Sequence, residues 1–158
     1  MSSKKRKYIL SQDRITYNNQ IHNYFAQREE VFKQSVIANL RFSMSTLTMH
    51  TRDYIITEDK DCNEKFRLQR NQVEDYQKKL MAFKFSEEEL AIVNVITGYL
   101  DSVYTYSNRI FANQHPSSSL EAKNLLKLMD DDFVAPLYQS ITNIFDLSSK
   151  KIKIYSII

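Results

Sequence analysis

Turn formers are nearly absent from this chain: its 158 residues include one Gly and two Pro. Folds built on sheets reverse direction at many tight Gly- or Pro-bearing turns, so an all-β or α/β architecture is excluded and a mostly helical one with few, short connections remains. The lone Cys62 cannot close an intrachain disulfide, and no second Cys or nearby His completes a metal-binding or haem-attachment spacing. No run of roughly 18 apolar residues exists, so no stretch of this sequence spans a bilayer as a helix. Gly-rich phosphate loops, His-Glu-x-x-His, the Glu-x-x-His pairs of di-iron bundles and nucleophile elbows are missing as well. No enzyme activity, cofactor or metal is expected. The run Asp130, Asp131, Asp132 does not alter this, because consecutive helical positions diverge and cannot converge on one ion. A solvated acidic face is the expectation there.

Positive charge is in slight excess and sits at the ends. The formal net charge is +3, yet Lys4, Lys5, Arg6 and Lys7 open the chain and Lys150, Lys151 and Lys153 close it. Setting those seven aside leaves 15 basic side chains against 19 acidic ones in the body. A net negative body has the wrong sign for a nucleic-acid groove. The segments KKRKYIL and KKIKIYSII read either as flanks of membrane segments or as a basic head and a frayed tail.

What is present is helical periodicity. From Ile15 to Thr57 there is no Gly or Pro, and Phe25, Phe32, Val36, Leu40, Ser43, Leu47, His50 and Tyr54 recur at three- and four-residue steps that give a helix one buried seam. At about 1.5 Å per residue this first helix is a rod on the order of 60 Å long. Ser11 or Asp13 is its candidate cap, behind a basic tail over residues 1–10. Asp61 with Glu64 has capping-box spacing for a second helix running to about Phe83, with Phe66, Val73, Leu80 and Phe83 inward. Ser86 with Glu89 repeats the box for a third helix to about Asn113, its inward face carrying Leu90, Val93, Ile96 or Thr97, Leu100, Val103 or Tyr104, and Ile110. Pro116 breaks the pattern, and Ser118 with Glu121 starts a fourth helix that reaches about Ser149. Pro136 inside it predicts a kink near Asp132 to Ala135. The sum is an all-α, antiparallel up-down-up-down four-helix bundle over residues 11–149, with long first and fourth helices and both chain ends at one pole. Residues 150–158 form a tail or the start of a membrane-proximal segment.

The run ANLRFSMSTLTMHTRDYIITEDKDCNEKFRLQRNQVEDYQKKL resembles the four-helix-bundle extracytoplasmic sensor domain of bacterial methyl-accepting chemotaxis proteins and related sensor kinases. In that family the first helix commonly ends in an aromatic, an aliphatic pair, Thr and an acidic turn, as RDYIITED does here. LEAKNLLKLMDDDFVAPLYQSITNIFDL is similar to the fourth helix of that family. Together the matches cover most of Leu40 to Leu147. The resemblance implies a homodimer packed through helices one and four, small-molecule sensing near the membrane-distal end, and a signalling module elsewhere in the parent protein. The flanking membrane helices of the family are absent from this sequence.

An anion sensor needs fixed donors, and the planar fork of Arg suits a carboxylate. Arg41 and Arg52 on the first helix and Arg109 on the third are the candidates, Arg52 and Arg109 toward the end away from the termini. Surface ion pairs, such as Arg52 with the acids of the TEDKD turn, are the competing account. His50 lies on the seam, where packing alone explains its spacing. Tyr104, Tyr106 and Asn108 can wall the same pocket or fill the core, and Ser43, Ser45, Thr46, Thr48 and Thr51 can line it or bond back to their own helix. The leading expectation is a periplasmic or extracellular sensor domain of a transmembrane chemoreceptor, binding a small, anionic molecule and passing a helix displacement through the membrane. A sensor domain of a histidine kinase or diguanylate cyclase, or a cytosolic helical interaction module, is the alternative.

Overall fold

The computed structural model describes residues 2–157, and every regular element among them is helical, with no strand. In order these are α1 (Ser3–Thr57), α2 (Asp61–Met81), α3 (Glu87–Phe111), a 3-10 turn (Pro116–Ser118), α4 (Leu120–Met129), a π turn (Asp130–Val134) and α5 (Ala135–Ile157). The last three run on as one, so the chain has four helices.

Local chemistry sets each boundary. With no Gly or Pro to stop it, α1 extends back through the expected tail and past Ser11 and Asp13. It starts where the Ser2 hydroxyl accepts the Lys5 N–H at 3.3 Å. It ends at Glu58, held in the left-handed region at φ 56°, whose N–H donates to the Tyr54 carbonyl at 2.8 Å. The expected Asp61 and Glu64 box does not form. Instead the Asp59 carboxylate accepts the Asp61 N–H at 2.9 Å, and Glu64 pairs with Arg67 at 2.6 Å. The Ser86 and Glu89 box is complete: the Ser86 hydroxyl accepts the Glu89 N–H at 3.2 Å, and the Glu89 carboxylate accepts the Ser86 N–H at 3.1 Å. Because Pro116–Ser118 wind into a 3-10 turn, the cap of α4 moves from Ser118 to Ser119, which accepts the Ala122 N–H at 3.1 Å. Pro136 offers no N–H and its ring crowds the carbonyl one turn back. The turn before it widens into the π form, and the helix continues.

One core unites all four helices: Val36, Leu40, Met44 and Leu47 from α1, Phe66, Val73 and Leu80 from α2, Val93, Ile96, Leu100 and Val103 from α3, and Met129, Leu137, Ile141 and Ile144 from the fourth helix. A smaller cluster, Tyr54, Ile55, Cys62, Ile110 and Leu125, closes the end near Thr57. There the Tyr54 hydroxyl donates to the Asn113 carbonyl, Thr51 donates to Ser107 at 2.9 Å, and the Glu58 carboxylate accepts the Ser117 hydroxyl and, at 3.2 Å, its N–H. At the other end Lys33 meets the Lys84 carbonyl at 3.4 Å, Gln34 donates to Ser149 at 2.7 Å, and Gln27 donates to Ser156 at 3.0 Å. α1 lies against α2 and α5, and α3 against α4 and α5, whereas the backbones of α2 and α3 stay farther apart and meet through side chains such as Phe66 with Tyr104 and Phe111.

The expected seam of α1 is buried from Val36 to Tyr54, with His50 only half-buried. Phe25 and Phe32 depart from it and are exposed: α2 and α3 turn back beside Lys33, so Phe32 meets only the edge of the body at Phe83, 5.6 Å between ring centroids, and Phe25 lies beyond it. Leu90, at the same end, is exposed for the same reason.

Candidate functional site

Arg41 and Arg52 are eleven residues apart, about three turns of helix, and so return to nearly the same face of α1. Both line a groove between α1 and α5 of about 610 Å³, with Ala38, Phe42, Ser45 and Thr48 of α1 and Tyr138 of α5. A second cleft of about 370 Å³ continues it, sharing Ala38 and Arg41 and walled by Ile37, Ile141, Thr142, Phe145 and Asp146.

The two arginines are in different electrostatic states. Arg52 donates to the carboxylate of Asp130, the first residue of the π turn, at 2.5 Å. Both side chains are more than three-tenths exposed, so the pair contributes no more than about 1 kcal/mol. The Arg41 guanidinium lies over the Tyr138 ring, 5.6 Å from its centroid. It belongs to none of the ion pairs among the described residues. An open guanidinium stacked on an aromatic plate, beside an apolar floor, presents two parallel N–H donors to a carboxylate or another planar anion.

The remaining candidates are dispersed. His50 sits elsewhere on α1, outside the groove, where burial lowers its pKa, Asp53 opposes that and Lys65 adds to it. Tyr104 is buried against α2, its ring edge-on to Phe66 at 6.4 Å and covered by the Arg70 guanidinium at 4.0 Å. Burial, reinforced by the charge of Glu74, pushes its hydroxyl pKa far up, so it serves as a plate and not as an acid. Tyr106 packs on Phe133 at 5.0 Å, with the Arg109 guanidinium 5.5 Å from its ring, and Asn108 and Arg109 face solvent on α3. Tyr138 completes the groove and was not among the sequence candidates, while Asp130, expected on a solvated acidic face, is half-buried and pairs with Arg52 at its edge. Tyr138 is an aromatic directly after the core residue Leu137.

A second feature borders the groove. From Leu10 to Ile56, positions separated alternately by four and three residues fall on one stripe of α1, among them Ile21, Val31, Ala38, Phe42, Ser45 and Met49. Apart from Arg52, which is half-buried, all of them are exposed, Phe42 at 75 % and Ile56 at 76 %. A four-three alternation keeps one helical stripe facing a partner helix over many turns.

No family model matches the chain, and neither a curated protein nor a solved structure matches it. Among the described residues no group of His, Cys, Asp or Glu is placed to hold a metal, and no helix is long and apolar enough to cross a membrane. Function is therefore argued from the chemistry of the groove and the stripe beside it.

Proposed function

We propose that this chain is the ligand-sensing domain of a bacterial membrane receptor of the chemoreceptor type, lying outside the cytoplasm. It is an antiparallel up-down-up-down four-helix bundle that binds a small anion in the α1/α5 groove and acts as a homodimer. The up-down order is supported by the side-chain partners at each end: residues 51–54 with 107–113 at one, and 27–34 with 84 and 149–156 at the other. The observation that carries the reading is the unpaired Arg41 in a groove whose outer lip, Ala38, Phe42 and Ser45, is part of the exposed stripe of α1. A second copy laid along that stripe closes the groove, which couples occupancy to the pairing of the two chains. A ligand that binds the two arrangements unequally shifts their populations, and the shift is the signal.

A thermal-shift screen with organic acids, amino acids and amines tests this, because a ligand bound only by the folded form raises the melting temperature by mass action. Acids are expected to raise it, Arg41→Ala to abolish the rise and Arg52→Ala to weaken it. A rise that survives both substitutions places the site elsewhere. Light scattering on Phe42→Asp is expected to report a smaller mass than the natural chain, and equal masses would sink the dimer.

A further inference from the structure

Where α1 leaves the four-helix body, charge is buried instead of solvated. Lys33 and Glu89 are each 1 % exposed, and Glu30 is 7 % exposed. Lys33 Nζ lies 2.9 Å from Glu30 Oε1 and 3.5 Å from Glu89 Oε2, and it donates to the Lys84 carbonyl at 3.4 Å. The Phe85 ring flanks it at 5.0 Å. From α5, Lys151 donates to Glu89 Oε1 and stands 3.8 Å from Glu30 Oε1, and Ser148, one turn earlier, donates to Glu30 Oε2 at 2.8 Å. Glu89 also accepts the Ser86 N–H at 3.1 Å, so the residue that caps α3 is part of the same cluster. Two ammonium groups and two carboxylates from three helices meet here with no net charge.

Such a cluster adds little net stability over apolar residues of equal volume, because removing Lys33, Glu30 and Glu89 from water, with Lys151 half-buried beside them, cancels most of their mutual attraction. Its larger effect is on position. A slide of α5 by one turn, about 5.4 Å, carries Lys151 and Ser148 away from both carboxylates and leaves Glu30 and Glu89 sharing one buried ammonium. A tilt of α5 about Ser148 and Lys151 keeps every one of those contacts. We propose that the cluster is a pivot: it locks the axial register of α5 against α1 and α3. A displacement in the α1/α5 groove then reaches residues 152–157 as a tilt and not as a slide. The lock stands on the contacts alone, whereas its use in signalling rests on the sensing role proposed above.

Disulfide trapping across α1 and α5 tests the lock in the full chain, with the buried Cys62 left in place. Gln34→Cys with Ser149→Cys reports the native register. Gln34→Cys with Lys153→Cys, or with Phe145→Cys, reports a one-turn slip either way. In the natural background only the native pair is expected to close quickly. In Glu89→Gln with Lys151→Met, which removes one charge of each sign and keeps the Lys33 and Glu30 pair and the cap of α3, the slipped pairs are expected to close about tenfold faster or more. Slipped pairs that close as fast as the native one in the natural background, or that are unaffected by the double replacement, overturn the proposal. If circular dichroism shows that the double variant does not fold, Lys151→Met alone poses the same question. A blank ligand screen removes the sensing role and leaves the lock standing, while unchanged trapping removes the lock and leaves the sensing role standing.

Discussion

The two halves of α1 have the same backbone and opposite surroundings. Residues 30–57 hold Val36, Leu40 and Leu47 sealed among the other helices, while in residues 3–29 Ile15, Tyr17 and Ile21 face solvent. Both halves are helical because neither contains a residue that stops a helix, and because propagating a helix from a formed turn avoids the unfavourable nucleation step. Burial has no such local cause. It ends where α2 and α3 turn back beside Lys33, and the helix runs on for about 40 Å without them. Helicity is thus inherited along the chain, whereas packing has to be supplied by neighbours.

That contrast can be broken or sharpened by measurement. The largest effect is expected at the boundary itself: Lys33→Met leaves two buried carboxylates with one ammonium and should cost about 3–5 kcal/mol in urea unfolding, against less than about 0.5 kcal/mol for Lys4→Met. Next, Leu40→Ala should cost about 2–5 kcal/mol and Ile21→Ala less than about 0.5 kcal/mol. Equal losses would mean that the projecting half has a packing partner within the chain. The third effect depends on pH. Burial alone raises the Glu89 carboxyl, but the hydrogen bonds from Lys151 and the Ser86 N–H and the charges of Lys33 and Lys151 outweigh it, holding the group below its ordinary 4.5. A depressed carboxyl contributes stability that is full above its unfolded pKa and is lost as pH falls through the folded one. Acidification below about 4.5 should therefore destabilise the natural chain more than Glu89→Gln, and parallel acid-unfolding curves would contradict this. The smallest difference is kinetic: amides of residues 5–25 should exchange hydrogen through local fraying, while those of residues 36–55 should approach the global unfolding limit.

The sequence shows most clearly what is local. Ser86 and Glu89 form their box because both partners lie within one turn, and the effect of Pro136 was readable as a disturbance because its missing N–H is a covalent fact. Whether that disturbance would be a kink or a π turn depends on how α1 and α3 hold the helix on either side. Phe25 and Phe32 keep the spacing of the seam, but spacing cannot reveal where a partner helix ends. Lys33 illustrates the reverse error. It lies three residues before Val36 and seven before Leu40, in phase with the buried face, yet its type points to solvent because lysine is rarely buried. For the groove, the Arg41 and Arg52 spacing is legible from the helix period, whereas the pairing of Arg52 with Asp130 is not, since it joins residues 78 apart in the chain.

Glu58 carries one further consequence. Its carboxylate grips the turn that follows α3, while four residues earlier Tyr54 holds the Asn113 carbonyl, so the two crossovers at that end are riveted together. At the opposite end α1 and α5 are held by side chains alone, Gln34 with Ser149, Glu30 with Ser148 and Lys151, and Gln27 with Ser156. Over the described residues the two long helices resemble a pair of tongs, closed by the chain itself at one end and held by side chains alone at the other.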